Sequence, residues 1–323
     1  MKKIVILIFL LSNFVFGEEL ITRTKFIMGT YISIKLPQDK QNLFKPAFQI
    51  FKDLDNKLSI YKENSEISEL NRAKKKELSK DSLVIIKKSI QISKETKGFF
   101  DITIGKLTKD VYKFGTLDEK LPEDEEILKN LKQISYKNIQ INGNTVILKN
   151  NVKIDLGGIG KGFAVDKVAE FLIKQGVKKA VISASGDIRC INICHLYIKN
   201  PFGEGWIIDL KTKNKNTSIS TSGNYERFIK SNKYNHLINP KTGKSEQNFA
   251  SITLFSIGNN TNIDAYATAV SVMPVDLAIQ FLNKKKFGFI LILNSRQMIF
   301  SKNINDFVFV NDYKTINQSE PLQ

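Results

Sequence analysis

Cysteine is scarce in this sequence: Cys190 and Cys194 are the two present in 323 residues. No disulfide framework is needed, since a chain that is 42% hydrophobic and 25% charged can bury a sizeable core as one large domain or two packed ones. Blocks of like charge are missing too. The formal net charge is +17, but the lysines are scattered. Such a surface favours anionic ligands or headgroups, and it equally reflects lysine-rich usage. No RNP-like motif, zinc-finger spacing or basic heptad array occurs, so nucleic acid is not an expected partner. No G-x-S-x-G elbow occurs, which disfavours a serine hydrolase. No internal repeat, low-complexity block or clean linker divides the chain.

Long apolar runs are confined to the N-terminus. Lys2 and Lys3 precede residues 4–16, an apolar stretch broken only by Ser12 and Asn13, and Val15-Phe16-Gly17 supplies acceptable cleavage-site residues before Glu18. This reads as a signal peptide over residues 1–17. The run is short of the roughly 20 residues a bilayer-spanning helix needs. No cysteine near the cleavage point supports a lipid anchor. Removal of the leader takes Lys2 and Lys3 with it and lowers the net charge from +17 to +15.

The segment Cys190-Ile-Asn-Ile-Cys194-His195 leaves three readings open. The thiols pack as ordinary small apolar groups, or a tight hairpin brings them into a disulfide, or the spacing is a variant of a haem-attachment sequence, whose usual form has two intervening residues.

Alternating β-branched and apolar residues predict a strand over 24–36, and Phe44, Phe48, Phe51, Leu54 and Leu58 recur at helical spacing. A second helix is predicted over 82–96, stopping at Gly98. Residues 118–126 read as an acidic, solvated connection. Residues 152–156 suggest a strand, followed by glycines at 157, 158, 160 and 162 and a helix to Gln175. Further strands are expected over 179–182, 206–210, 251–257, 288–293 and 297–300, with a small-residue helix over 262–273. The class is α+β, with mixed sheets, helices and two interleaved lobes around a cleft.

Four constellations can carry chemistry. Asp155-Leu-Gly-Gly-Ile-Gly-Lys-Gly162 sets four glycines, a lysine and a carboxylate between a strand and a helix. Backbone without side chains approaches a ligand closely, N–H groups at a helix start favour anionic oxygens, and Lys161 adds a charge, which suits a phosphate or pyrophosphate. Lys161 is followed by Gly162 and not by Ser or Thr, so this is no Walker A loop, and G-x-G-x-x-G is not matched either; a tight strand-to-helix turn is the plainer alternative. Asp264-Ala-Tyr-Ala-Thr268 puts a carboxylate and a hydroxyl on one helix face, hard oxygens that suit magnesium. The plainer reading is an acid favoured near a helix start and a threonine bonded to a backbone carbonyl. His236, in Tyr234-Asn-His-Leu-Ile-Asn-Pro-Lys-Thr-Gly243, is a proton acceptor, a phosphate contact or a surface loop residue. Thr221-Ser222-Gly223-Asn224-Tyr225-Glu226-Arg227 gathers hydroxyls, a glycine and an arginine, a combination useful around phosphates.

Together these segments resemble the FAD:protein FMN transferases, the ApbE family. The resemblance runs over about residues 24–293 as an ordered series: Met28-Gly29-Thr30, Ser59-Ile-Tyr61, Ser65-Glu66-Ile67, Phe100-Asp101-Ile-Thr-Ile-Gly105, the 155–166 glycine segment, Ser185-Gly-Asp187-Ile, Thr221-Ser-Gly223, His236-Leu-Ile-Asn-Pro240 and Asp264-Ala-Tyr-Ala-Thr268. It implies a T-fold-like, two-lobed architecture with a flavin cleft over residues 18–323. It implies a flavin site drawing on Met28, Tyr61, Phe99, Phe100, Asp101, Asp155, Lys161 and Ile238. It also implies Mg2+ held by Asp264, Thr268 and the Gly158 carbonyl, with Ala267 in the same pocket. Three positions depart from the family's usual residues: Ile102 stands for Pro, Ser185 for Gly and Asn239 for Asp, the last removing a negative charge beside the pyrophosphate site.

The reaction so implied is attack of a Thr or Ser hydroxyl of an exported acceptor protein on the FMN-side phosphorus of FAD, with AMP leaving and Asp264 and His236 as the catalytic candidates. Acceptors of the family carry a motif like Asp-x-x-Thr-Gly-Ala-Thr/Ser on subunits of membrane electron-transfer complexes. This chain has no such motif, so it is expected to modify other proteins, in the periplasm or at the outer face of the inner membrane. Two alternatives use the same site: an FAD pyrophosphatase with water as nucleophile, and a non-catalytic periplasmic flavin-binding protein. The leader assignment predicts an exported chain that starts at Glu18, read directly by its intact mass; retention of residues 1–17 in that product would show an uncleaved anchor instead.

Overall fold

The computed structural model describes residues 19–225 and 227–314, and the leader expected at residues 1–17 lies outside the described residues. The first element is a hairpin, β1 (Leu20–Ile27) and β2 (Thr30–Pro37). Met28 and Gly29 both take left-handed backbone, φ 56° and 70°, in a two-residue turn whose twist matches that of its strands. The single strand expected over 24–36 is therefore two, because β-branched and apolar residues run on either side of a turn that lacks the usual Asn or Asp. Helix α1 (Phe44–Leu58) buries the predicted phenylalanine and leucine stripe. Then come α2 (Glu66–Ala73), β3 (Lys75–Glu77) and α3 (Lys80–Glu95).

Helix α4 (Asp124–Leu131) starts inside the acidic segment expected to be a solvated connection. Asp124, Glu125 and Glu126 occupy its first turn, where negative charge complements the helix dipole. After β4 (Ile139–Asn142) and β5 (Thr145–Leu148), residues 152–156 do not join a sheet. Lys153 makes one bridge to Ile104, and the Asn71 amide replaces a neighbouring strand: it accepts from the Ile154 N–H at 2.7 Å and donates to the Ile154 carbonyl at 2.9 Å.

The remaining elements are α5 (Gly160–Lys174), β6 (Val181–Ala184), β7 (Asp187–Cys190), β8 (His195–Lys199), β9 (Trp206–Thr212), β10 (Thr217–Gly223), β11 (Phe249–Ile257), α6 (Asn260–Ser271), α7 (Val275–Lys285), β12 (Gly288–Leu293), β13 (Met298–Phe300) and β14 (Val308–Tyr313). The main sheet runs β1-β2-β6-β7-β10-β11-β12-β13, and two three-stranded sheets run β14-β9-β8 and β3-β5-β4, with every named pair antiparallel. Cys190 and Cys194 form a disulfide, Cα atoms 6.0 Å apart, across the turn from β7 to β8. Of the three readings of this segment, the tight-turn one holds.

Strand β12 is apolar on both faces, as suits a strand covered on both sides, whereas the central β7 and β10 carry buried polar residues such as Asp187, Arg189, Ser218 and Ser220. Along β12, Phe289 and Leu291 join the core shared with α1, α5 and α6, while Ile290 and Ile292 pack with Ile198, Ile208 and Val308 of the β14-β9-β8 sheet. A third cluster of Leu107, Val111, Tyr112, Phe114, Ile127, Ile229 and Ile238 closes one side of the cleft described below.

Helices α5 and α6 meet through polar groups as well as apolar ones. Asp166 of α5 accepts from the N–H groups of Asn260 and Thr261, at 2.9 and 2.8 Å, satisfying donors that a helix start leaves without partners. Arg189 of β7 pairs with Asp166 and also donates to Asn260 at 2.9 Å and Asn216 at 2.8 Å. Arg189 is 3% exposed, so its charge has little water to fall back on. Replacing Arg189 with Met leaves Asp166 without its counter-ion, and the expected loss in urea unfolding is about 3–5 kcal/mol. A change below about 0.5 kcal/mol, the usual range for surface substitutions, would show that the pair does not hold α6 in place.

Candidate active site

The glycines after Asp155 permit a close helix crossing. A Cβ on Gly162 would meet the Asn260 carbonyl oxygen at 2.5 Å and the Asp264 Cβ at 2.7 Å, so only glycine lets α5 approach α6 this closely. The approach lets Asp264 Oδ2 accept from the Gly162 N–H at 2.9 Å, in the first turn of α5. On the next turn of α6, Thr268 Oγ1 lies 3.4 Å from the Gly158 carbonyl oxygen, and a side chain on Gly158 would strike Thr268. Carboxylate, hydroxyl and carbonyl thus come together at the mouth of the glycine loop.

Lys161 stands among acids. Its Nζ is 3.5 Å from Asp187 Oδ2 and 4.0 Å from Asp264 Oδ1, and both aspartates are almost completely buried. Burial, reinforced by the charge of Asp264, pushes the Asp187 carboxyl up to about 7 against the pull of Lys161 and a 2.7 Å bond from Ser220. Burial likewise raises Asp264, opposed by Lys161 and the Gly162 N–H. Burial alone would lower Lys161, but Asp264 and Asp187 outweigh it and hold the ammonium above its usual range. Two carboxyl groups share one ammonium here, an arrangement short of positive charge.

Around this polar end lies a cleft of about 680 Å³. Twelve of the thirteen residues singled out in the sequence line it: Met28, Tyr61, Phe99, Phe100, Asp101, Asp155, Gly158, Lys161, His236, Ile238, Asp264 and Thr268. The thirteenth, Ala267, is fully buried and has no surface on it, because its position on α6 turns inward from the Asp264–Thr268 stripe. Met28 arrives on the β1–β2 turn, and Ile238 is held by the third apolar cluster. Tyr61 donates to the Phe114 carbonyl at 3.1 Å, under the Lys109 ammonium 3.9 Å from its ring centre. Lys241 lies 3.9 Å from the centre of the Phe99 ring.

The two remaining acids are occupied. Asp155 accepts from Thr108 at 2.7 Å and from the Gly157 N–H at 2.8 Å, fixing the start of the glycine loop. Asp101 turns inward and accepts from the Thr103 N–H and hydroxyl and from the Tyr136 N–H; burial raises its carboxyl despite these bonds. His236 Nδ1 lies 3.1 Å from the Arg227 carbonyl oxygen, which can only accept, so Nδ1 carries the proton and Nε2 keeps its lone pair. Burial lowers its pKa to about 4, helped by the charges of Arg227 and Lys161 and resisted by that hydrogen bond.

Asn239 opens the turn to Gly243, its carbonyl accepting from the Gly243 N–H at 2.8 Å. It is buried, donates to Glu246 at 2.8 Å and to the Val272 carbonyl at 3.3 Å, and does not line the cleft. An aspartate could not make those donations. Ser185, at φ 56°, does line the cleft in a conformation that glycine adopts more readily. Sequence reasoning assigned no site role to Asp187 or Lys109. Asp187 belongs to the Ser185-Gly-Asp187-Ile segment, which by itself shows no charge partner, and Lys109 has no local signal.

The donor set suits magnesium in kind: one carboxylate, one hydroxyl and one backbone carbonyl, all hard oxygens, beside acids short of countercharge. Among the described residues no group of three or more His, Cys, Asp or Glu side chains is placed to hold a metal ion.

Residues 28–291 match the model of the ApbE family. The FAD:protein FMN transferase of Buchnera aphidicola subsp. Schizaphis graminum is 33% identical over 281 residues, covering 80% of this chain and 79% of that protein. A protein of the same name from Vibrio cholerae is 27% identical over 266 residues, covering 76% and 79%. Among solved structures, the ApbE protein of Thermotoga maritima superposes with a TM-score of 0.83 at 26% identity, covering 90% of this chain and 99% of that one. The flavin transferase ApbE of Vibrio cholerae superposes with a TM-score of 0.79 at 23% identity, with the same coverage, a likeness of fold.

The imidazole environment predicts an NMR titration midpoint near 4 for His236 in the ligand-free protein. An ordinary imidazole pKa is about 6.5. Because the folded value lies below the unfolded one, the associated stability is full above about 6.5 and is lost as pH falls toward 4. A midpoint at the ordinary value would show that the His236 loop stands open to water.

Proposed function

The chain belongs to the ApbE family, and we propose that it transfers the FMN half of FAD to a Thr or Ser hydroxyl of an exported acceptor protein, releasing AMP. The observation that carries this reading is the pairing, in one cleft, of an apolar and aromatic half with a polar end. Met28, Tyr61, Phe99, Phe100 and Ile238 suit a planar flavin. The glycine loop, the start of α5, Lys161 and Arg227 suit a pyrophosphate.

Asp264, Thr268 and the Gly158 carbonyl would hold Mg2+. Bound there, the ion supplies neutralisation of negative charge on the pyrophosphate oxygens. Lys161 does the same as a fixed charge, aimed by Asp187 and Asp264. His236, neutral at physiological pH with Nε2 unprotonated, accepts the acceptor hydroxyl's proton as that oxygen bonds to the FMN-side phosphorus. The bond to the AMP-side oxygen breaks, and AMP departs with that oxygen. The third apolar cluster, through Phe114 and Ile238, lines one side of the cleft and would limit the water that competes as nucleophile.

Placement outside the cytoplasm rests on the leader, and it puts acceptors among exported proteins such as subunits of membrane electron-transfer complexes. No helix among the described residues is long and apolar enough to cross a membrane.

FAD and Mg2+ supplied with and without a peptide carrying Asp-x-x-Thr-Gly-Ala-Thr test the reaction. The expected outcome is a flavin-mass adduct on the peptide with equimolar AMP. Free FMN without peptide would establish a pyrophosphatase, and bound FAD with no AMP would establish a carrier. Asp264→Ala is expected to lower turnover by at least about a hundredfold, the scale on which transition-state charge stabilisers act, and to remove the Mg2+ dependence. Unchanged turnover of that variant at limiting Mg2+ would rule Asp264 out as a ligand.

A further inference from the structure

Strand β1 is an edge of the main sheet and its C-terminal end enters the cleft: Phe26, Ile27, Met28, Gly29 and Thr30 all line it. The two-residue turn makes Ile27 and Thr30 the hydrogen-bonded pair that closes the hairpin, and pairs then alternate along the ladder. Lys25 and Arg23 therefore bond to β2, while Phe26, Thr24 and Thr22 turn their N–H and C=O groups outward. The close side chains of the non-bonded pairs agree with this register: Thr24 Oγ1 is 3.1 Å from Ser33 Oγ, and the Phe26 and Tyr31 rings meet edge-on at 5.4 Å. Among the described residues no strand pairs with the outer side of β1.

Edge strands are commonly blunted by charge. Here the charges point elsewhere: Arg23 sits over the Phe44 ring at 4.7 Å and Lys25 over the Phe48 ring at 5.0 Å, on the face covered by α1. The opposite face presents Phe26 and Tyr31, 67% and 69% exposed at the rim of the cleft. An open row of backbone donors and acceptors leading into a reaction cleft, with two aromatic rings beside it, is the geometry of strand addition.

On the reading that the substrate hydroxyl belongs to a protein, we infer that the acceptor docks as an extended segment paired to the outer edge of β1, its flanking side chains on Phe26 and Tyr31. The ladder fixes the register and carries the reactive hydroxyl past Met28 into the cleft. From Thr24 to Met28 the strand covers about 13 Å at its usual rise, so four or so residues flanking the hydroxyl take part. Recognition then rests on backbone more than on side-chain identity, and tolerates varied sequence at alternate positions.

The test compares the wild type with Thr24→Pro and Thr24→Val, using the motif peptide extended by six residues on each side. Proline removes the outward N–H and sets its ring against an incoming strand, at a position where the hairpin's own ladder does not use that N–H; valine keeps it. Thr24→Pro is expected to raise the KM for the peptide at least about fivefold, on the order of one backbone hydrogen bond lost, with kcat and FAD affinity unchanged. Thr24→Val is expected to match the wild type. Equal KM values for all three proteins would overturn the docking mode while leaving the transferase reading intact. If wild type labels no peptide and no acceptor protein, the underlying reading fails and the docking mode with it. Should Thr24→Pro lose FAD affinity through misfolding, peptides N-methylated at successive single positions decide the matter on the wild type. A KM penalty at every second position supports the ladder, and a flat response overturns it.

Discussion

Two helices cap each other, and the rest of the site hangs on that crossing. Asp264 of α6 accepts from the first turn of α5, and Asp166 of α5 accepts from the first turn of α6. Each carboxylate lies where the partner's dipole is positive and its N–H groups lack intrahelical acceptors. The reciprocity demands contact closer than side chains allow, which Gly162 grants by having none. Arg189 answers the charge of Asp166 on one side of the crossing, and Lys161 answers that of Asp264 on the other. The structural pair and the site pair are two ends of one device. That explains why a potential metal ligand can stay so deeply buried: its position is held by backbone donors that fold α5, whether or not a ligand is present.

The main sheet gives the crossing its platform and the cleft its floor. Strands covered on both faces fix α5 and α6 from below, while the third apolar cluster and the β1–β2 turn wall the cleft from the sides. Function is thus distributed across loops from distant stretches of chain, two of them long: residues 96–123 between α3 and α4 and residues 224–248 between β10 and β11. Binding and catalytic groups commonly sit on loops positioned by a rigid scaffold of this kind.

Helical parts of this fold were legible because amphipathic periodicity is local: α1, α3, α5 and α6 all lie where spacing and small residues place them. What escaped is instructive. The β1–β2 turn went unread because a methionine, not asparagine, takes its first left-handed position. The start of α4 was misread because the acids that stabilise a helix start are also those that mark a solvated loop. Residues 152–156 carry strand-like text, yet the partner that satisfies Ile154 is a single side chain 83 positions away, Asn71. In the site, residues that touch the cleft were found through an ordered series of motifs. Asp187 acquires its meaning only when β7, α5 and α6 converge, a coupling no short window of sequence contains.

The electrostatics of that convergence bear on how such a site can be both stable and reactive. Asp187 and Asp264 lie together under one lysine, and burial raises both carboxyl groups. A site that needed only stability would trade this triad for apolar packing, since buried ion pairs seldom repay their desolvation. Keeping it leaves an incompletely neutralised pocket that gains when additional positive charge arrives, and that holds Lys161 taut in the meantime. His236 is tuned the opposite way: burial, helped by the charges of Arg227 and Lys161, keeps its imidazole neutral. Acids keep Lys161 charged, and burial, with a smaller push from Arg227 and Lys161, keeps His236 free to accept a proton. Those two states fit the proposed attack on an anionic phosphorus.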